Sequence, residues 1–259
     1  MVALRRLLSY RARGAMSQRT NILFVSGLLA LALFGVAAAG PLEDGNAAYR
    51  RGDYAAAMQI LRPLAEQGNA IAQYNLGVMY EHGQGVAQNY AEAVKQYRLA
   101  ADQGLAYAQN NLGHMYDEGR GVAENYPNAL KWYRLAADQG SPDAQHKIGF
   151  LFALGYGVPQ SDVEAVKWFQ LATDRGNLNG QYALGNHYAL GEGVPQNYIY
   201  AYMWLSLVAA ASSDIIKVIN ARDYVAAKMT PDQMPRRSGW RESGSRRGEG
   251  SVGPRSRDA

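Results

Sequence analysis

The stretch GNAIAQYNLGVMYEHGQGVAQNYAEAVKQYRLAADQ, residues 68–103, decides the fold, because its pattern is written four times in succession. Its first glycine, Gly68, returns as Gly104, Gly140 and Gly176, always 36 residues on. The same interval carries Gly77 to Gly113, Gly149 and Gly185, and Tyr80 to Tyr116, Phe152 and Tyr188. The pair Gly83/Gly85 becomes Gly119/Gly121, Gly155/Gly157 and Gly191/Gly193, each followed by valine. A fixed period in the range of roughly 20–50 residues signals a solenoid of stacked units rather than one globular core.

Within each unit both halves have helical spacing. Ala72, Leu76 and Tyr80 lie four apart and share a face. Tyr90, Ala93/Val94, Tyr97 and Ala100/Ala101 form a stripe at three- and four-residue steps. The Gly-x-Gly between them ends the first helix with positive φ and turns the chain. In the second half, Ala93 maps to Ala129, Ala165 and Ala201, and Leu99 to Leu135, Leu171 and Leu207, so these read as packing positions. Each unit is predicted to be a helix–loop–helix hairpin. A lone hairpin cannot bury its apolar stripe, so neighbours must stack.

Three signatures carry a resemblance: A-x-Y-N-L-G-x-M-Y at 72–80, G-x-G-V at 83–86, and A-x-K-W-Y-R-L-A-A at 129–137. On these the chain resembles the Sel1-like repeat (SLR) family, relatives of tetratricopeptide repeats with a longer, glycine-bearing loop. The resemblance spans roughly residues 43–229. It implies an all-α, right-handed alpha-alpha superhelix. The expected units are 68–103, 104–139, 140–175 and 176–211, preceded by a degenerate capping unit at 43–67 and followed by a closing helix at 213–229. The capping unit has a tight turn at Arg51-Gly52-Asp53, with Tyr54 in phase with Tyr90. The third unit departs from the pattern, placing Asp162 where the others have Tyr90, Tyr126 and Tyr198.

The two ends do not follow the beat. Arg5, Arg6, Arg11, Arg13 and Arg19 precede an uncharged apolar run at residues 22–39, which ends Val36-Ala37-Ala38-Ala39-Gly40. A basic region, an apolar core and a small-residue exit read as a signal peptide cleaved near Ala39. A start at Met16 would give a shorter leader of the same kind. The expected location is periplasmic or secreted; the alternative is an inner-membrane anchor, for which the run has the minimum length. Cysteine is absent, and a stacked helical core needs no disulfides. The cysteine-rich secreted branch of the family is therefore a different one, and the β-lactamase or penicillin-binding activity ascribed to some of its members does not transfer.

At the other end, Thr230-Pro231-Asp232-Gln233 announces a helix by its cap, its N1 proline and its glutamine three after the cap. From Pro235 onward the chain is nearly free of apolar residues and reads as disorder. Residues 234–244 have a back-translation whose bases, read two places on, encode Ala-Glu-Ala-Gln-Arg-Leu-Ala-Arg-Glu-Trp, an amphipathic helix. A frameshift after about Gln233 is thus expected. Sequencing the gene tests it: codons incompatible with that shifted reading remove the idea.

The charge of +4 belongs to these ends. Residues 1–39 hold five arginines and no acid, and residues 235–259 hold seven arginines against three acids, leaving the repeat body at −5 within the chain's +4. The basic balance is therefore no sign of nucleic-acid binding, which requires a basic stripe on the folded surface.

Catalytic constellations are not found. The four histidines, His82, His114, His146 and His187, occupy different repeat positions and form no metal-ligand spacing. They read as surface or groove residues. The Gly-x-Gly loops lack the lysine and strand of a phosphate cradle, and no G-x-S-x-G elbow occurs. Trp132, Trp168 and Trp204 share one position and read as packing. No catalytic, cofactor or metal residue is therefore assigned, and the chain is not read as an enzyme.

Binding is assigned to the positions that vary between first helices, since repeated positions answer to folding. In alignment these are Tyr74/Asn110/His146/Tyr182, Asn75/Asn111/Lys147/Ala183 and Val78/His114/Phe150/Asn186. A concave face made of them suits a partner protein or an extended peptide. The expected function is an exported protein–protein interaction scaffold or adaptor. Two alternatives stand beside it: a periplasmic regulatory subunit of a membrane receptor, and a cell-wall-associated enzyme or binder. Contact with a membrane is expected only through the leader segment if it is retained.

Overall fold

The structure, a computed structural model, describes residues 40–211 and 216–234. The expectations of a cleaved or anchoring leader and of a frameshifted tail fall on residues outside these. The described residues form eleven helices and no strand. The pairs are α1 (Pro41–Arg50) with α2 (Tyr54–Glu66), α3 (Ala70–His82) with α4 (Tyr90–Asp102), and α5 (Ala106–Glu118) with α6 (Tyr126–Asp138). Then come α7 (Pro142–Leu154) with α8 (Asp162–Asp174), and α9 (Leu178–Leu190) with α10 (Tyr198–Ala211); α11 (Ile216–Ala226) packs on α10. Each helix packs chiefly against its neighbours in the chain, which is the geometry of a helical solenoid.

Local chemistry sets these boundaries. Asn69, Asn89, Asn125 and Asn177 each accept a hydrogen bond from the backbone N–H three residues on, at 2.7–3.1 Å. Such caps satisfy donors that the first turn leaves unpaired. The first helices end at Gly83, Gly119, Gly155 and Gly191, all left-handed.

Within a unit the helices are locked by a glycine in the middle of the first. A Cβ at Gly77 would lie 2.6 Å from the Tyr97 ring, one at Gly113 2.7 Å from Tyr133, and one at Gly149 2.6 Å from Phe169. The ring of the second helix thus lies directly on the backbone of the first. Around it, Ala93, Ala129, Ala165 and Ala201 are completely buried.

Between units, buried glutamines continue the connection. Gln73 Nε2 donates to the Ala65 carbonyl of α2 at 3.0 Å, and its Oε1 accepts from Gln103 Nε2 at 2.7 Å. Gln109 repeats this with Ala101 and Gln139. In the third unit Arg175 takes the place of Gln103 and Gln139, and Gln145 Oε1 has no hydrogen-bond partner among the described residues.

Two features differ from the sequence reading. The leucine column, Leu99, Leu135, Leu171 and Leu207, is 40–45 % exposed rather than buried. His187, read as a surface or groove residue, is not on the open surface: it is only 8 % exposed, occupies the position of Met79, Met115 and Leu151, and reaches a depression only with its edge. At the C-terminal end Thr230 N–H donates to Gln233 Oε1 at 2.9 Å, and Met234 N–H to the Thr230 carbonyl at 3.2 Å, so the announced helix cap does form.

Replacing a helical glycine by alanine normally stabilises by up to about 1 kcal/mol. Here Gly113→Ala is expected to destabilise by about 1–3 kcal/mol through the Tyr133 clash, lowering the thermal midpoint by about 5 °C. Gly185→Ala meets Leu205 Cγ at 3.0 Å and is expected to be milder. Thermal denaturation followed by circular dichroism decides; a raised midpoint for Gly113→Ala refutes the lock.

Candidate functional site

The first helices of successive units touch through side chains. Asn75 Nδ2 of α3 donates to Asn46 Oδ1 of α1 at 2.6 Å. The rings of Tyr74 on α3 and Tyr107 on α5 are 6.1 Å apart, and Lys147 Nζ of α7 reaches Asp117 Oδ2 of α5 at 3.2 Å. The variable positions therefore lie along one continuous face, half-buried among one another, with Phe150 the most open at 41 % exposure.

Two depressions open on this face. One of about 350 Å³ is lined by Asn46, Tyr49, Arg50, Ile71, Tyr74, Asn75, Leu105 and Tyr107. The other, about 440 Å³, lies between α7, α8 and α9, and His146, Phe150, Tyr182, Ala183 and Asn186 line it together with Phe169 and His187. Of the residues proposed from the sequence, Tyr74 and Asn75 thus meet in the first, and His146, Phe150, Tyr182 and Asn186 in the second. Asn110, Asn111, His114 and Lys147 line neither. Val78 packs against the core and presents little surface.

The ground between the depressions is electrostatically settled. Tyr97 Oη donates to Glu81 Oε2 at 2.6 Å, and Tyr133 Oη donates to Asp117 Oδ2 at 3.3 Å. Burial, and then the Glu81 carboxylate, pushes the Tyr97 phenol far above its ordinary value. Tyr133 is pushed the same way by burial and then by Asp117. Both rings remain protonated donors. Lys147 neutralises Asp117, Arg120 bridges Glu118 at 2.6 Å, and His114 Nε2 lies 3.0 Å from Glu118 Oε1. Each of these carboxylates is thus occupied by a hydroxyl, a cation or an imidazole of the same face.

Glu81 and Asp117 escaped the sequence reading, which aligned glycines, apolar stripes and the varying positions but not the acids near the ends of the first helices. A pairwise signal exists, however. Where the second helix has Tyr97 or Tyr133, the first has Glu81 or Asp117; where it has Phe169 or Leu205, the first has Ala153 or Ala189. Hydroxyl and carboxylate come and go together.

His146 faces Phe169, 5.8 Å between ring centres, with Lys147 and Asp143 as its charged neighbours. Burial, and then Lys147, lowers its pKa to about 4. His114 is lowered by the same two causes in the same order.

Comparison with known proteins agrees with this architecture. The Sel1 repeat family profile matches residues 70–105, 106–141, 142–177 and 178–213. The fold is similar to that of a protective antigen of uropathogenic Escherichia coli displaying an SLR fold, with 33 % identity and a TM-score of 0.63. That match covers 74 % of this chain and 46 % of the antigen, so the chain corresponds to about half of the antigen's length. A Sel1 repeat protein from Oxalobacter formigenes is similar at 30 % identity and a TM-score of 0.62, over 73 % of this chain and 83 % of that one. No curated protein matches the chain.

A pKa lowered in the folded state costs stability as the pH falls. Unfolded His146 takes up its proton near pH 6.5 and the folded residue only near pH 4, so its contribution is complete above about 6.5 and is lost between those values. The thermal midpoint is expected to fall between pH 7 and pH 5, and less steeply in His146→Gln. Equal slopes in the two proteins would remove His146 as the cause.

Proposed function

The chain belongs to the Sel1 repeat family, whose members are generally protein–protein interaction scaffolds, and on that footing we propose that it is an exported scaffold that holds a partner polypeptide along the face of its first helices. One observation carries this reading. Of the varying residues named from the sequence, Tyr74, Asn75, His146, Phe150, Tyr182 and Asn186 line the two depressions of that face. An extended segment crossing them would meet amides at Asn75 and Asn186 and rings at Tyr74, Phe150 and Tyr182. Such a mixture gives apolar anchorage with directional hydrogen bonds. The scaffold reading is favoured over a catalytic one because the buried carboxylates and phenols of the face already satisfy one another.

Export rests on the leader at residues 1–39, whose basic, apolar and small-residue segments follow in the order of a signal peptide. N-terminal sequencing of the protein recovered from its native cell is expected to start at Gly40. A chain that retains residues 22–39 overturns cleavage in favour of an anchor.

The test of binding is affinity capture with quantitative mass spectrometry, followed by measurement of Kd for the captured partner. Phe150→Ala and Asn75→Ala together are expected to weaken that complex at least about tenfold. Phe150 is open to solvent and its replacement should change the thermal midpoint little, whereas Asn75→Ala also removes the bond to Asn46, so weakened binding is expected in Phe150→Ala alone as well. Unchanged affinity refutes this face as the binding surface.

A further inference from the structure

The larger depression lies where the repeat is broken at several positions at once. In each unit the glycine loop docks on the start of the preceding second helix: a Cβ at Gly85 would stand 2.5 Å from the Tyr54 carbonyl oxygen. That docking brings a loop residue over the first residue of the helix below. At one junction Arg120 lies over the Tyr90 ring, 5.8 Å from its centre. At the next, Tyr156 stacks on Tyr126 at 4.7 Å. The equivalent pair at the last of the four junctions is Glu192 and Asp162. Two carboxylates stand where the two preceding junctions have a cation on a ring or a ring on a ring. Neither takes part in an ion pair among the described residues.

The deeper wall changes in the opposite sense. Ala153 replaces the carboxylates of Glu81 and Asp117, and Phe169 replaces the phenols of Tyr97 and Tyr133. The depression is therefore lined by the rings of Phe150, Phe169 and Tyr182 and by Ala153, with Asp162 and Glu192 as its only acidic lining residues. No lysine or arginine lines it. His146 supplies no positive charge near neutral pH, since burial and then Lys147 lower its pKa to about 4. His187 Nδ1 lies 3.0 Å from the Glu192 carbonyl, which only accepts, so Nδ1 carries a proton there. One face of the Tyr182 ring already carries a cation, with Lys217 Nζ 5.8 Å from its centre.

Aromatic faces and two carboxylates outside any ion pair among the described residues define a complement to a cation. We propose that this depression seats a lysine or arginine side chain of the bound partner polypeptide. The proposal rests on the scaffold reading and adds to it the chemistry of one anchor. The aliphatic stem lies on Phe150 and Phe169, and the charged head is held between Tyr182, Asp162 and Glu192. Arginine is the better guest, because its flat guanidinium stacks on a ring and still donates in its own plane to carboxylates.

The probe is N-acetyl-arginine amide, titrated into the full chain and followed by two-dimensional NMR, with N-acetyl-lysine amide alongside. N-acetyl-norleucine amide and spermidine are the controls. Saturable shifts at Asp162, Phe169, Tyr182 and Glu192 are expected with the two cationic amides, and weaker or no shifts with norleucine. Glu192→Gln, in an exposed loop where folding is not at risk, is expected to weaken arginine binding about threefold, and Asp162→Asn by a similar factor. Absence of saturation with either cationic amide overturns the proposal, as does equal binding of norleucine or insensitivity to Glu192→Gln. Binding of spermidine without binding of the amino-acid amides also overturns it and makes the guest a free polyamine. The two readings fail separately. Silence towards arginine, with partner binding still lost in the Phe150/Asn75 variant, removes the cationic seat and leaves the scaffold.

Discussion

Everything in this array depends on a ring lying flat against a helix backbone. Gly77, Gly113 and Gly149 each leave open the space that Tyr97, Tyr133 or Phe169 fills. The contact sets the separation of the two helices of a unit, and that separation sets how the next unit is received. Completely buried alanines at Ala93, Ala129 and Ala165 then follow as a consequence, since nothing larger fits beside so close an approach. In the fourth unit Leu205 replaces the ring, and the clash distance at Gly185 relaxes to 3.0 Å. The lock loosens towards the end of the array, where α11 takes over the covering of the apolar face.

The same ring also governs the electrostatics of the face. A tyrosine in this lock has its hydroxyl buried at the far edge of the first helix, and a buried hydroxyl requires an acceptor. Glu81 and Asp117 supply it, and each carboxylate then draws a cation, Arg120 or Lys147. Four groups per unit are thus tied to one packing decision. Replacing tyrosine by phenylalanine removes the need for the acid, and removing the acid frees volume. The depression around His146 is the outcome: space opened by a change whose first reason is internal to the fold.

The period of 36 residues was enough to read the helix pairs, because cap, glycine stop and apolar stripe all repeat with it. Contacts between units were less legible. Gln73 and Gln109 look like ordinary polar residues on a helix until the preceding helix end is brought within 3.0–3.2 Å of their amides. Position in the repeat predicted environment only where the side chain keeps its character. His187 stands in a column of Met79, Met115 and Leu151, and reading the column rather than the residue would have placed it inside. The candidate face was legible as a set of variable positions, yet Asp162 was noticed only as an anomaly and Glu192 was missed. Their significance depends on a loop meeting the helix below it, which no spacing along one unit reveals.

Repetition and burial are therefore not the same information. The leucines at 99, 135, 171 and 207 repeat faithfully while remaining nearly half exposed, so a repeated residue is not always a core residue. Conversely, the breaks at Asp162, Phe169, Ala153 and His187 are scattered in sequence but share one wall. Independent drift at exposed positions would leave such breaks distributed over the surface. Their concentration has a physical reading. Once the tyrosine–carboxylate pair is gone, a junction no longer supplies its own counter-charges, and whatever charges remain at its rim are open to a group from another molecule. The pair is missing from both the third and the fourth units, as Phe169/Ala153 and Leu205/Ala189, and the third differs in bringing Asp162 and Glu192 to the rim of the space it leaves.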